Sequence, residues 1–179
     1  NTPIILVSGG KIDIPAMKKL LEEKPTTKVM CVKHALPILA ENGIKPWACV
    51  ILDTRSINEF SSLGKSRVDL IKSAPSDTIF FAMARVHPSY FFVLQELNAR
   101  VIGFNNHFDE IAQAFNIPLE EFLKSSENSG LYNEIYASMS QLPGSCAGIC
   151  SINLAVLLGF REMHLFGYCL LYTSPSPRD

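Results

Sequence analysis

Short unbroken apolar runs alternate along this chain with stretches in which apolar residues recur every three or four positions, a pattern that predicts strands alternating with helices. Ile4, Ile5, Leu6 and Val7 form the first run and stop at Ser8-Gly9-Gly10, as a strand buried on both faces and followed by a turn would do. Ile14, Met17, Leu20 and Leu21 then mark a helix, with Asp13 at its N-cap and Pro15 in the first turn, where a missing N–H is harmless. The alternation repeats as a strand at 29–32, a helix at 35–41 closed by Asn42-Gly43, and a strand at 48–52 that ends in Asp53. Ser56 and Glu59 have capping-box spacing and predict a short helix from about Ser56. A strand at 78–83, a helix at 89–97 after His87-Pro88, a strand at 101–104 and a helix at 106–115 continue the series. Over 116–142 the pattern weakens: Leu119, Phe122 and Leu123 indicate one helix and 125–130 a loop. Past Pro143-Gly144, the residues Ile149, Leu154, Leu157 and Leu158 predict a largely buried helix, which Gly159 could end before a strand at 163–166.

Short buried strands alternating with helices imply parallel pairing through right-handed crossovers. The expected fold is therefore an α/β, Rossmann-like three-layer sandwich with a mostly parallel sheet. A chain of 179 residues that is 47% hydrophobic and 18% charged suits one folded domain and excludes global disorder. The net charge of −1 and the lack of any Lys/Arg block argue against nucleic-acid binding, which depends on phosphate neutralisation. No apolar run approaches the ~20 residues of a membrane-spanning helix, so no membrane partner is expected. Five cysteines, an odd number set mostly in apolar segments, point to free thiols in a reducing compartment. No signal-peptide pattern opens the chain, and a cytoplasmic location is expected. The chain begins without Met and reads as an internal piece. Residues 1–168 are expected to be one domain truncated at both ends. Residues 169–179 turn abruptly Ser/Pro-rich, resemble a translated sequencing adapter, and are expected to be a non-native or disordered tail with no function assigned.

In an open parallel sheet, ligands bind beyond the carboxyl ends of the strands, and the candidate chemistry gathers there. Ser8, Gly9, Gly10 and Lys11 join a strand to a helix, so backbone N–H groups and the lysine could meet a phosphate. The same residues also suit a plain tight turn. Gly144, Ser145, Cys146 and Ala147, with Gly148, form a second small-residue turn into a helix, which serves either close ligand approach or close helix packing. Asp53 stands at the end of a strongly apolar strand and could act as the catalytic carboxylate that holds Mg²⁺ or a ribose hydroxyl; a turn cap or a pair with Arg55 is the structural alternative. Asn105 and Asn106 complete the rim, reading a base or sugar edge or capping a helix. Sharper motifs are missing. Cys146 and Cys150 lack further ligands at zinc-site spacing and are expected to be core thiols, and Gly144 to Gly148 does not follow the nucleophile-elbow pattern. His87 stands at a strand end, but Pro88 beside it suits a turn.

Several segments together resemble the 6-hydroxymethylpterin diphosphokinase MptE-like family. They are Val29-Met30-Cys31-Val32-Lys33-His34-Ala35-Leu36-Pro37, Asn42-Gly43-Ile44-Lys45-Pro46 with the strand ending at Asp53, Gly144 to Gly148, and Leu158-Gly159-Phe160-Arg161-Glu162-Met163-His164-Leu165-Phe166-Gly167. The resemblance reaches to about Tyr168. It implies a Rossmann-like transferase acting at a nucleotide diphosphate: ATP-dependent diphosphate transfer to a hydroxymethyl pterin with Mg²⁺ or, as in related flagellin-modifying domains, glycosyl transfer from a nucleotide sugar to a glycan or protein. A non-catalytic nucleotide-binding module is the third reading. In the transferase roles, Ser8 to Lys11 and Gly144 to Gly148 would cradle phosphate and Asp53 would hold the metal. The chain departs from the family at two points. Its first loop is Ser8-Gly9-Gly10-Lys11-Ile12-Asp13 where members show Gly-x-Gly-Pro-Ser-Leu, and Gly167-Tyr168 meets Cys169 where an acidic residue is common.

Overall fold

Ile4, Ile5, Leu6 and Val7 are all fully buried in the first strand, β1 (Ile4–Val7). The computed structural model describes residues 2–58, 66–106, 141–142 and 146–168. Along them run α1 (Ile14–Glu23), β2 (Lys28–Val32), a 3-10 turn (Lys33–Ala35), α2 (Leu36–Glu41), β3 (Ala48–Ile51) and α3 (Arg67–Lys72). They continue as β4 (Ile79–Met83), α4 (Ser89–Glu96), β5 (Arg100–Asn106), β6 (Gln141–Leu142), α5 (Ala147–Leu157) and β7 (Met163–Phe166). The seven strands form one sheet in the order β6-β5-β4-β3-β2-β1-β7, and every pairing is parallel. This is the α/β sandwich that the alternation of apolar runs and helical periods implies.

The strand order carries the functional consequence. From β1 the chain steps outward strand by strand to β6, then returns to lay β7 on the other side of β1. Right-handed crossovers in opposite directions put their helices on opposite faces, so α5 covers the face away from α1 to α4 and packs on β1, β2 and β3. The order reverses between β1 and β7, and the carboxyl ends of these two strands therefore flank the crevice where an open α/β sheet binds ligands.

Local signals explain most of the boundaries. The Asp13 carboxylate accepts from the Ala16 N–H at 3.0 Å and caps α1 as expected. The structure departs from the expectations at some points, and others fall on residues that it does not describe. The described helix after β3 begins at Arg67, capped by Ser66, whose hydroxyl accepts from the Asp69 N–H at 3.1 Å; a serine cap followed three residues later by an acid occurs here as well as at Ser56, and Glu59 lies outside the described residues. Asn105 and Asn106 extend β5 and pair with Gln141 and Leu142. The expected helix over 107–115, the segment 116–140 and the tail 169–179 lie outside the described residues. Finally, α5 buries Gly148, Cys150, Ser151, Leu154 and Ala155, while Ile149, Leu157 and Leu158 are exposed at 45%, 55% and 43%. Leu154 is buried as expected, but the rest of the inner face is made of small residues because the helix lies close on the sheet. Counting large apolar side chains alone misplaces Ile149, Leu157 and Leu158.

Candidate functional site

At the carboxyl ends of β1, β2, β3 and β7 lies a cavity of about 760 Å³, within the range of sites that hold a small organic ligand. Ser8, Gly9, Gly10 and Lys11 line one side, Cys146, Ala147 and Gly148 at the start of α5 another, and Asp53, Arg55, Lys33 and His34 the floor. The two small-residue turns and the acid at the end of β3, far apart in sequence, thus face one space. Gly144 and Ser145 lie outside the described residues. Asn105 and Asn106 end β5, two strands beyond β3 in the sheet.

The first turn is held by backbone pairing. Ser8 N–H donates to Phe166 O at 2.8 Å and Gly10 N–H to Gly167 O at 2.9 Å, so the β1 and β7 loops are zipped together past the strands. The Gly10 donor, which the sequence offers to a phosphate, is engaged by that pairing. A side chain at Gly9 would meet only His34 Cβ at 3.9 Å, an ordinary contact. The tight positions are elsewhere: a Cβ on Gly148 would lie 2.9 Å from Ser8 Oγ and 3.2 Å from the Tyr168 ring. Tyr168 in turn bonds Ser151 Oγ at 2.6 Å and donates to Gly148 O at 3.1 Å, fixing α5 against the end of β7.

Asp53 is the centre of the floor. Its Oδ1 accepts from the Arg55 backbone N–H at 3.1 Å and from Arg55 Nε at 3.0 Å. Its Oδ2 accepts from Lys33 Nζ, and from the Tyr90 hydroxyl at 3.3 Å, with Arg67 Nε at 3.2 Å. Lys33 Nζ also donates to Tyr90 OH at 2.7 Å, and Asp53 O accepts from His87 N–H at 3.1 Å. The end of β3 is therefore tied to the turn after β2, to α3 and to the start of α4. Burial opposes ionisation of Asp53, but the hydrogen bonds from Lys33 and Arg55 outweigh it and hold the carboxyl well below the usual carboxylate range. Burial likewise lowers Lys33 and raises Tyr90, with the Asp53 charge adding to the rise at Tyr90. Burial first, then the charge of Lys33, lowers His34, since both disfavour a protonated imidazole there.

Three cations, Lys33, Arg55 and Arg67, surround the Asp53 carboxylate. This donor set does not fit Mg²⁺, which needs uncrowded oxygen ligands; both Asp53 oxygens already face cations, and no group of three or more His, Cys, Asp or Glu side chains converges among the described residues.

Its fold is similar to that of part of a glycosyltransferase. The solved MAf glycosyltransferase from Magnetospirillum magneticum AMB-1 superposes with a TM-score of 0.61 at 20% identity, over 98% of this chain and 24% of that one. The chain thus spans about a quarter of that structure, and at this identity the likeness is one of fold. A short chain dehydrogenase family protein from Francisella tularensis subsp. tularensis SCHU S4 matches at 11% identity over 92% of this chain and 97% of that one, but its TM-score of 0.28 carries no argument. No family model and no curated protein matches the chain.

Sequence reasoning missed Lys33, His34, Arg67 and Tyr90 as members of this site. Lys33-His34 carried a readable signal, two polar residues directly at the carboxyl end of an apolar strand. Arg67 and Tyr90 carried none, since they reach Asp53 from other elements. Other side chains settle into structural roles. His87 Nδ1 accepts from the Ser89 N–H at 3.2 Å in the turn that opens α4. Cys31, Cys49 and Cys150 are buried free thiols as expected, whereas Cys146 is exposed at the N-cap of α5, because its turn stands at the cavity mouth and not under the sheet. Burial, with Cys146 nearby, pushes the Cys150 thiol up to about 11. Among the described residues no helix is long and apolar enough to cross a membrane.

Proposed function

We propose that this chain is the nucleotide-sugar-binding part of a glycosyltransferase, seating the phosphate-bearing end of the donor over Lys33 and Arg55 and beside the start of α5. The observation that carries this reading is the company that Lys11, Lys33 and Arg55 keep: they line, together with the start of α5, one cavity of about 760 Å³ next to the point where the strand order reverses. The fold likeness to the MAf glycosyltransferase supports transfer of a sugar over diphosphate transfer to a pterin. A glycan or protein acceptor follows from the resemblance to flagellin-modifying domains, and a cytoplasmic location is in keeping with a nucleotide-activated donor.

The test is calorimetric titration of the chain with UDP-, GDP- and CMP-linked sugars and with ATP, followed by nucleotide-release assays in the longer protein. Binding of one nucleotide sugar and its turnover support the reading. Binding without turnover in the longer protein identifies a non-catalytic nucleotide-binding module. Release of AMP from ATP in the presence of hydroxymethyl dihydropterin identifies the diphosphokinase instead.

A further inference from the structure

Val32 and Lys33, at the carboxyl end of β2, line the cavity described above. A second cavity, of about 380 Å³, lies at the opposite end of the same strand, between the later turns of α1 and the turn that joins α2 to β3. Its volume is in the range of small-ligand sites. Leu21, Val29 and Ile44 give it an apolar bed, while Lys18 and Glu22 from α1 and Lys45 from the turn stand exposed around it. Backbone donors beside the cavity are engaged within the chain. Thr27 N–H donates to Lys24 O at 3.0 Å, Gly43 N–H to Ala40 O at 3.0 Å and Ile44 N–H to Leu39 O at 2.9 Å. Asn42 Nδ2 donates likewise to Ile38 O at 2.8 Å. The Thr27 side chain is the exception: the residue lines the cavity at 8% exposure, and its hydroxyl oxygen is buried with no hydrogen-bond partner. A buried hydroxyl without a partner costs stability, so a valine of the same shape would suit this position better unless the hydroxyl serves something that enters the cavity.

We propose that this cavity is a second ligand site, which takes a small monocarboxylate with an apolar body: the body on Leu21, Val29 and Ile44, the carboxylate held by the Thr27 hydroxyl, Lys18 and Lys45. The donors that the fold leaves for a ligand are one hydroxyl and two ammonium groups, which match negatively charged oxygens, and the bed beneath them matches a hydrocarbon. Glu22, the one acid among the described residues that line the cavity, stands one turn beyond Lys18 on α1 and repels further negative charge. A single carboxylate therefore fits better than a polyanion such as a nucleotide diphosphate, and the site is distinct in chemistry as well as in place from the one at the carboxyl ends of the strands.

The experiment follows backbone amide shifts of the chain by NMR during titration with octanoate and, in parallel, with octanol and octylammonium, which share its body and differ in the head. Octanoate should move the amides of residues 18–22, 27–29 and 42–45 and bind more tightly than the other two. Thr27→Val should weaken octanoate about tenfold, as the loss of a hydrogen bond to a charged group does, and should leave the unfolding midpoint of the ligand-free chain equal to wild type or higher. Lys18→Ala and Lys45→Ala should each weaken octanoate about threefold, as for an exposed charge pair, at an unchanged midpoint. Octanol or octylammonium binding as tightly as octanoate overturns the proposal, as do amide shifts confined to the cavity at the carboxyl ends of the strands or the lack of any shift at millimolar octanoate. Wild-type octanoate affinity in Thr27→Val overturns it too, and so does a lowered midpoint in that variant, which would give the hydroxyl a structural role. Titration with nucleotide sugars reads the other end of the sheet, so none of these outcomes decides the nucleotide-sugar reading.

Discussion

Gly167 has φ +70°, and a Cβ placed on it would lie 2.8 Å from the backbone oxygen of Ser8 and 3.1 Å from that of Gly10. Neither obstacle can swing aside, since both belong to the zipped loops between β1 and β7. Gly167→Ala should therefore destabilise the fold by about 2–3 kcal/mol, from left-handed backbone strain plus overpacking. Gly9→Ala, in the loop that the sequence marks as the phosphate turn, should stay within about 0.5 kcal/mol of wild type, because its Cβ has room. Denaturant midpoints of the two variants check the contrast. In sequence the two glycines look alike, and Gly9-Gly10 is the more conspicuous. What separates them is the neighbour across the crevice, which belongs to a segment more than 150 residues away.

At the scale of the element, α5 shows where periodicity misleads. Leu157 and Leu158 lie outward at 55% and 43% exposure, and the inward face at Gly148, Ser151 and Ala155 brings the helix axis close to β1, β2 and β3. Ala155→Leu should cost about 1–3 kcal/mol by overpacking a fully buried position, while Leu157→Ala should cost under about 1 kcal/mol. Thermal unfolding of both variants reads this directly, and equal losses would mean that α5 is turned the other way. The other elements were legible because their signals are local: the run of residues 4–7, the Asp13 cap and Pro15 of α1, and the apolar strands at 29–32 and 79–83. The two-residue strand β6 was not, since Gln141 and Leu142 pair only because β5 ends beside them.

For the whole molecule, the titrating groups of the site couple stability to pH. The folded pKa of His34 lies below its ordinary value of 6.5, through burial and the charge of Lys33, so the unfolded chain binds that proton first as the pH falls. Its contribution is full above about 6.5 and declines below. Asp53 is held below the usual carboxylate range against the cost of burial, so its contribution is intact above about pH 4 and is lost as the pH falls further. Urea midpoints should drop in two stages on acidification, and His34→Gln should flatten the first stage while leaving the second. A single acid transition, unchanged in that variant, would show that His34 is not coupled to the fold. By itself the sequence determined the strands, most of the helices and the side of the sheet on which chemistry gathers, because apolar period, caps and strand ends are properties of neighbouring residues. Only the tertiary structure decided the strand order, the inner face of α5, the zipping of the two loops and the meeting of Lys33 and Arg67 with Asp53; the pair with Arg55, two residues on, was already open to the sequence. Those depend on which distant segments meet, and one carboxylate at a strand end reads the same in sequence whether a metal or three basic side chains will face it.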